Sequence, residues 1–292
     1  MQGVNFWTSI GHIQNIITND IRIVFYDKNE NIIFDQVFQI YNTNRITPVS
    51  HLCFNNDLHS SNLYEIYVLK TYDYNNIKIE ENDIVVDIGS NLSTFIHYAL
   101  EKNASKVYSC EPTSYCFKII EKYFKNNKKV ILNNVAISDK NDIALFDIVQ
   151  EGSGSNKLNI AKANHETTYI SSSKEQVTTV TFKNFIEKNK IDKIDFLKVD
   201  CEGGESYIFI DENKDFFKKN VDKIAMEYHS EDKERIISYL KSLNYEVYEN
   251  VTCNNEVLLG NIYAKNKNFK KIGLLLTAYN CDNYIFNSRT LI

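Results

Sequence analysis

One stretch of this chain constrains its fold more than any other, because it combines a buried strand, a tight glycine turn and the start of a helix. Residues 83–93 read DIVVDIGSNLS, and Cys110-Glu111-Pro112 ends a second strand about one strand–helix unit later. A glycine in the turn lets the backbone approach a ligand closely, and a carboxylate at the next strand end can accept both hydroxyls of a ribose. The pair predicts a nucleoside site in a Rossmann-like sheet.

The number of glycines in this turn separates two classes of nucleoside cofactor. A dinucleotide site needs the pattern G-x-G-x-x-G, because a pyrophosphate lies on bare backbone at a helix N-terminus. Here Gly89 is followed by Asn91 and Thr94 where the second and third glycines would stand. S-adenosylmethionine carries no phosphate, so the turn favours this cofactor over NAD, with Asp87 and Asn91 at its amino-acid end and Glu111 at its ribose.

The composition is that of a globular chain with a sizeable core, since 43% of the 292 residues are hydrophobic and 24% are charged. The formal net charge of -5 offers no electrostatic attraction for a nucleic-acid backbone, so no nucleic-acid partner is expected. No apolar run is long enough for a membrane span, and the first residues lack a signal-peptide pattern. The cysteines include no C-x-x-C pair, so we expect reduced thiols in a cytoplasmic protein.

The sequence pattern divides the chain into three parts. Residues 1–75 are predicted to form a small N-terminal α+β extension, a lid or platform with a hairpin over 21–40 and a helix over 61–74. Residues 76–266 alternate strands with helices, and residues 267–292 form a tail. Inside the middle part, the polar stretch 150–176 is predicted to be a substrate loop.

The middle part predicts an α/β fold. Alternating strands and helices favour a mostly parallel, doubly wound sheet with helices on both faces. The last two strands, over 245–251 and 256–264, predict an antiparallel β-hairpin at the C-terminal end. The other predicted strands are 84–87, 106–110, 130–132, 143–149, 195–199 and 223–228, and the predicted helices are 93–101, one from Thr113, 182–188, one from Gly204 past Phe209, and one capped by Ser230.

Polar side chains end five of the predicted strands. Ligands of open α/β sheets bind beyond the carboxyl ends of the strands, so these side chains are expected to converge on one edge. They are Asp87, Glu111, Asp139, Asp200 and His229.

The acidic turn that follows the strand at 195–199 is a second concentrated signal. It reads DCEGGE and places Asp200, Glu202 and Glu205 at one strand-to-helix turn. One interpretation is a polar-substrate site with a general base whose pKa is tuned by neighbouring like charges. The other is that Glu202 and Glu205 favour a helix N-terminus through its dipole. Spacing alone does not separate the two.

His229 ends the next strand and is expected to face the same cleft. Its ring could take the proton of a substrate hydroxyl, and the alternative is a surface histidine at a strand end. Proximity to the acidic turn favours the first interpretation. A divalent metal held by Asp200 and neighbouring carboxylates is an open alternative without support from ligand spacing, so no metal ligand is predicted.

The order of five motifs resembles the FkbM family of S-adenosylmethionine-dependent methyltransferases. These motifs are VVDIGSNLS, YSCEP, NNVAISD, FLKVDCEGGES and IAMEYH, spread over about residues 60–265. The resemblance implies a class I methyltransferase fold and methyl transfer to hydroxyls of sugars and other natural-product or glycan units. One departure is Ser93, where the family usually has glycine; serine caps helices well, so binding is expected to survive.

Site residues carried over by the resemblance fall into two groups. Asp200, Glu202 and Glu205 match the family's acidic turn K-x-D-x-E-G-x-E, and with His229 they are the predicted catalytic residues. Asp87, Gly89 and Asn91 would hold the methionine end, Glu111 the ribose, and 136–139 would border the adenine. The predicted cofactor residues are therefore Asp87, Gly89, Ser90, Asn91, Glu111, Pro112, Ala136, Ser138 and Asp139.

The predicted function is S-adenosylmethionine-dependent O-methylation of a sugar or nucleotide-sugar hydroxyl in glycan biosynthesis. Residues 271–285 look like the opening strand and turn of a family 2 glycosyltransferase, and the alternative is a coincidental apolar tail. Two rival functions stay open. The chain is the methyltransferase half of a bifunctional methyltransferase–glycosyltransferase, or a non-catalytic module that binds S-adenosylmethionine or a glycan. The sequence does not indicate the oligomeric state.

Overall fold

The structure is a computed structural model that describes residues 20–26, 32–39, 62, 64–148, 157–158, 173–229, 232–254 and 257–269. Three predictions fall outside the described residues: the glycosyltransferase-like tail, the helix cap Ser230 and most of the substrate loop at 150–176. No helix in the described ranges is long and apolar enough to cross a membrane.

The described residues form thirteen strands and five α-helices. The strands are β1 (Asp20–Tyr26), β2 (Ile32–Gln39), β3 (Ile84–Ile88), β4 (Lys106–Cys110), β5 (Val130–Asn133), β6 (Ala136–Ile137), β7 (Asp142–Ile148), β8 (Lys157–Leu158), β9 (Ser173–Val180), β10 (Ile194–Val199), β11 (Val221–Tyr228), β12 (Tyr245–Asn254) and β13 (Val257–Asn266). The helices are α1 (Thr94–Glu101), α2 (Ser114–Phe124), α3 (Phe182–Asn189), α4 (Lys214–Asn220) and α5 (Lys233–Ser242).

A seven-stranded sheet forms the centre of the fold, in the order β12-β13-β11-β10-β3-β4-β5. The strands from β11 to β5 run parallel, and β13 pairs antiparallel with β11 and with β12. The predicted α/β class I methyltransferase fold with its C-terminal antiparallel hairpin is confirmed. Because the chain proceeds outward from β3 to β5 and later returns to place β10 beside β3, the topological switch point lies between β3 and β10.

The apolar residues of the central strands alternate between two cores, one on each face of the sheet. Val86 and Leu197 pack with the phenylalanines of α3 and α4, whereas Val85 and Phe196 pack with α1 and α2. This period of two follows from the pleat, which points successive side chains to opposite faces. Helices on both faces explain why these strands read as nearly continuous apolar runs.

Two hairpins predicted from sequence are present, and a second sheet was not predicted. β1 pairs antiparallel with β2, and β12 with β13. A four-stranded sheet in the order β6-β9-β7-β8 lies outside the central sheet. Its strand β9 begins inside the stretch that was predicted to be a loop. In this strand the buried residues Val177 and Thr179 alternate with more exposed ones, the pattern of a strand with one buried face.

Two helix predictions were wrong. The helix expected from Gly204 past Phe209 is replaced by 3₁₀ turns at Glu205–Tyr207 and Asp211–Asn213, and α4 begins only at Lys214. The helix expected over 61–74 is a single π-helical turn at Tyr64–Val68 in the part that is described. Lys70 has a φ of 53°, a left-handed conformation that ends helical winding.

Candidate active site

A cleft opens at the carboxyl ends of β3, β4 and β10, at the topological switch point. It holds about 880 Å³ of empty space, a volume that includes open solvent. The turn after β3 and the segment at 62–72 both contribute to its lining. The end of β10 and the small second sheet, through Phe146, complete the lining.

Gly89 allows the ends of β3 and β10 to meet. Its φ is 83°, and a Cβ atom there would lie 1.7 Å from the backbone oxygen of Asp200. No side chain fits that distance, and the left-handed backbone also favours glycine. The glycine was predicted to permit close approach of a ligand; the structure shows that it permits close approach of the neighbouring strand end.

Ser93 does not cap α1 in the way that was expected. It has a φ of 78° and makes no side-chain capping hydrogen bond. Its hydroxyl is buried and has no hydrogen-bond partner in the described part of the chain. An N-cap residue normally has extended backbone, so the left-handed conformation prevents the usual cap geometry. This is a conformation that glycine adopts without cost.

Glu111 joins the end of β4 to the turn after β3. One carboxylate oxygen accepts the N–H of Asn91 at 2.8 Å, and the other accepts the N–H of Thr113 at 2.9 Å. Burial raises the pKa of Glu111 to about 7, although these hydrogen bonds oppose the change. The first of these oxygens is Oε2; the second, Oε1, also accepts the Thr113 hydroxyl, so the capacity of Glu111 for a ligand hydroxyl lies at Oε2.

Asp87 lies behind the cleft surface and faces Lys198. The two residues are register partners on β3 and β10, and the Lys198 ammonium lies 3.3 Å from a carboxylate oxygen of Asp87. The same ammonium donates to the Gly89 carbonyl and lies 3.4 Å from Asp200. Burial raises the pKa of Asp87 against the opposing effect of Lys198. Burial would lower the pKa of Lys198, but Asp87 and Asp200 outweigh it and raise it.

Asp200 lines the cleft. The Tyr72 hydroxyl donates to it at 2.9 Å. Burial would raise the pKa of Asp200, but the charges of Lys198 and His229 hold it below its usual value. In the segment at 62–72, burial and the negative charges of Glu227 and Asp200 raise the pKa of Glu65 to about 7.

The acidic turn combines the two roles that the sequence left open. Glu205 is fully buried and accepts the N–H groups of Cys201 and Gly203, so it holds the turn together. Glu202 instead lines the cleft. Its φ is 51°, an uncommon left-handed value of the kind that clusters at functional sites. Burial raises the pKa of Glu202 to about 8, although the charge of His229 opposes this.

His229 lies behind Glu202, among carboxylates. Its Nδ1 donates to Glu205 at 3.1 Å, and its Nε2 lies 3.5 Å from Glu227 and 3.7 Å from Glu202. Burial would lower the pKa of His229, but the contacts with Glu205 and Glu227 raise it well above its usual value. The ring therefore carries a proton at neutral pH. Asp200, Glu227 and His229 each also present one potential ligand atom within 4.8 Å of the others, but His229 could bind a divalent cation only after losing a ring proton.

The structure brings most of the predicted site residues together. Those that line the cleft are Gly89, Ser90, Asn91, Glu111, Pro112, Ala136, Asp200 and Glu202. Four others are buried or half-buried behind it, namely Asp87, Ser138, Glu205 and His229, and Asp139 is exposed.

Sequence reasoning did not assign several of the lining residues to the site, among them Glu65, Tyr72, Phe146 and Lys198. A signal existed for Lys198, because a lysine inside the apolar strand IDFLKV needs a buried partner.

A family model, the Methyltransferase FkbM domain, matches residues 83–247, which is more than half of the chain. This chain belongs to the FkbM methyltransferase family. The matched residues contain the switch point, the acidic turn and His229, whereas Glu65 and Tyr72 of the same cleft precede them. The match ends before residue 267, and the glycosyltransferase likeness of the tail stays a prediction.

Solved methyltransferase structures are similar to this FkbM protein at low identity. An FkbM methyltransferase from Methylobacillus flagellatus KT has 11% identity over 64% of this chain and 45% of its own, with a TM-score of 0.43. The chain thus spans less than half of that protein. M. capricolum TrmK, solved with S-adenosyl-homocysteine, has 10% identity over 67% of this chain and 68% of its own, with a TM-score of 0.39. No curated protein matches the chain.

Proposed function

We propose that this FkbM methyltransferase transfers a methyl group from S-adenosylmethionine to a hydroxyl of a sugar or nucleotide-sugar in glycan biosynthesis, in the cytoplasm. One observation carries the proposal: a single cleft joins the carboxylate of Glu111, which suits a ribose, to the carboxylate of Glu202, which suits a general base. The family and the absence of a phosphate-binding glycine pattern support the choice of cofactor.

The described residues fit S-adenosylmethionine. Glu111 would bind the ribose hydroxyls, and Ser90 and Asn91 would contact the amino-acid end. Val135, Ala136 and Phe146 form an apolar wall that suits the adenine ring. Pro112, Ser138 and Asp139 stay proposed neighbours of the adenosine. When bound, the cofactor supplies an activated methyl group on a sulfonium.

The task left to the chain is to align the acceptor hydroxyl and remove its proton. Glu202 is the proposed base, because it lines the cleft and a carboxylate with a pKa of about 8 accepts protons strongly. The hydroxyl proton would pass to Glu202. His229 already carries a proton at neutral pH, so its proposed role is to stabilise ionised Glu202, while Glu205 holds the ring in place.

Charge supports the exclusion of nucleic acid from the proposed partners. The cleft wall formed by Glu65, Asp200 and Glu202 repels phosphates. If the acceptor is a nucleotide-sugar, its diphosphate is expected to extend away from this wall.

The test is an assay of methyl transfer to a panel of sugars and nucleotide-sugars. Its readouts are the release of S-adenosylhomocysteine and the mass of the product. We expect turnover with at least one sugar and none with RNA or duplex DNA. Turnover confined to nucleic acid would contradict the proposal. Tight binding of S-adenosylhomocysteine without turnover on any acceptor would favour the non-catalytic module instead.

A further inference from the structure

The segment that precedes the FkbM domain places a carboxylate over the turn after β3. The Asn62 amide donates to the side-chain oxygen of Asn91 at 3.3 Å, which holds this segment against the turn. Glu65 follows in the π-helical turn, and its carbonyl accepts the N–H of Thr71 at 3.0 Å. Tyr263 of β13 donates to the Thr71 carbonyl at 2.6 Å and fastens the segment to the sheet. Glu65 is thus held at the cleft edge by three separate contacts of its segment.

The Glu65 carboxylate has no hydrogen-bond or ion-pair partner within the part of the chain that the structure describes. The negative charges of Glu227 and Asp200 raise the pKa of Glu65, and the positive charges of Lys198 and His229 oppose this. Glu65 and Asp200 also line the same cleft. Carboxylates held close together repel one another, and a bound cationic group would relieve that repulsion.

Two cations among the described residues act on Glu65, and both are already engaged. Lys198 lies between Asp87 and Asp200, and the ring of His229 lies among Glu202, Glu205 and Glu227. With Glu65, six carboxylates surround two cations. The excess negative charge is therefore exposed to the cleft at Glu65 and its neighbours.

We propose that Glu65 and Asp200, rather than Asp87, bind the methionyl ammonium of the cofactor. This inference rests on the proposed use of S-adenosylmethionine. Asp87 is fully buried and does not line the cleft, whereas Glu65 and Asp200 both do. An ammonium group has three donors and no acceptor, so two converging carboxylates complement it. Glu65 lies outside the residues that the family model matches, so it is a binding residue contributed by the preceding segment.

The experiment is calorimetric titration with two ligands. S-adenosylhomocysteine carries the ammonium, and 5′-methylthioadenosine shares the adenosine and the sulfur but lacks the amino-acid end. The variant is Glu65→Gln, which keeps the side-chain shape, and the matched control is Glu81→Gln, an exposed glutamate outside the cleft. We expect Glu65→Gln to weaken S-adenosylhomocysteine binding by about tenfold and 5′-methylthioadenosine binding by less than about twofold. Glu81→Gln should change neither.

The possible outcomes separate this inference from the proposed function. Equal loss of both ligands, or no loss of either, in Glu65→Gln would overturn the assignment of the ammonium to Glu65 and leave the cofactor proposal standing. A wild-type protein that binds neither ligand would overturn the cofactor proposal and this inference with it.

Discussion

Glu202 is the residue on which the proposed chemistry depends. A general base must be unprotonated, and the pKa of Glu202 is raised to about 8, so the active fraction grows as pH rises. We expect kcat/KM for methyl transfer to increase with pH and to level off above about 8. Replacing Glu202 by Gln should lower the rate by about 10²- to 10⁴-fold, the usual contribution of a positioned base.

The control for Glu202→Gln is Glu234→Gln, which changes a highly exposed glutamate on α5. Its rate and pH profile should match the wild type. A Glu202→Gln enzyme with an undiminished rate would show that another group takes the proton.

A second prediction at the scale of the residue concerns His229. The direction in which its replacement shifts the pH–rate profile distinguishes a residue that stabilises ionised Glu202 from a general base. The positive ring lowers the pKa of Glu202. Removing the ring charge in His229→Gln should therefore raise the pKa of Glu202. The rise of the pH–rate profile should move to higher pH, and some activity should remain at pH values above the new pKa. Measured profiles of the two enzymes decide the point. A profile that moves to lower pH, or one that loses its pH dependence, would contradict this role.

At the scale of the element, the helix α1 begins after Ser93, whose left-handed backbone is unfavourable for a serine. A left-handed backbone costs a residue with a side chain about 1–2 kcal/mol, and glycine avoids this cost but gains freedom in the unfolded chain. We expect Ser93→Gly to raise the free energy of unfolding by up to about 1 kcal/mol, measured by urea denaturation.

Ser114 offers a matched comparison, since it is the exposed first residue of α2 and is not among the residues with positive φ. Ser114→Gly should lower the free energy of unfolding by up to about 1 kcal/mol, because glycine adds only flexibility there. If both variants lose stability equally, the backbone at Ser93 is not strained.

The sequence predicted elements well where one physical signal dominates. β4 was predicted with its observed ends, and β3 and β10 within one residue, because buried parallel strands are apolar runs bounded by polar residues. The segment after β10 was mispredicted as one helix, because Ile210 has an extended backbone and separates two 3₁₀ turns before the helix α4 begins. Periodicity does not indicate such a local interruption.

At the scale of the molecule, the two halves of the central sheet meet at Gly89. Gly89→Ala would force the ends of β3 and β10 apart, since the added atom would lie 1.7 Å from the Asp200 oxygen. We expect it to lower the free energy of unfolding by at least about 2 kcal/mol and to abolish detectable binding of S-adenosylhomocysteine.

Gly204→Ala is the comparison for this prediction. Its new Cβ would meet the Cys201 sulfur at 3.1 Å, and Gly204 has an ordinary φ of -81°. Calorimetry and thermal unfolding of both variants should show a much smaller change at Gly204. Comparable losses of stability and binding in both variants would mean that the ends of β3 and β10 do not approach unusually closely at Gly89.

The candidate site was predictable where it lies on the sheet and not where distant segments meet. Asp200, Glu202 and Glu111 follow strands, so topology alone places them at one edge. Glu65 and Tyr72 come from a segment whose position depends on contacts with β13 and with the turn after β3, and no local pattern encodes those contacts. Whole-chain packing therefore supplied the part of the cleft that sequence reasoning missed.

The hydrogen bond between Tyr263 and Thr71 has a consequence for the order in which the protein becomes competent. The two residues are 192 positions apart in sequence, and the bond fastens the segment that carries Glu65 and Tyr72. During synthesis, domains fold as the chain emerges from the ribosome, and contacts this distant form late. The parallel strands can therefore assemble first. The segment at 62–72, which lines the cleft, is fastened in place only after β13 has been synthesised. A nascent chain stalled before that strand would hold most of its sheet and lack a finished ligand pocket.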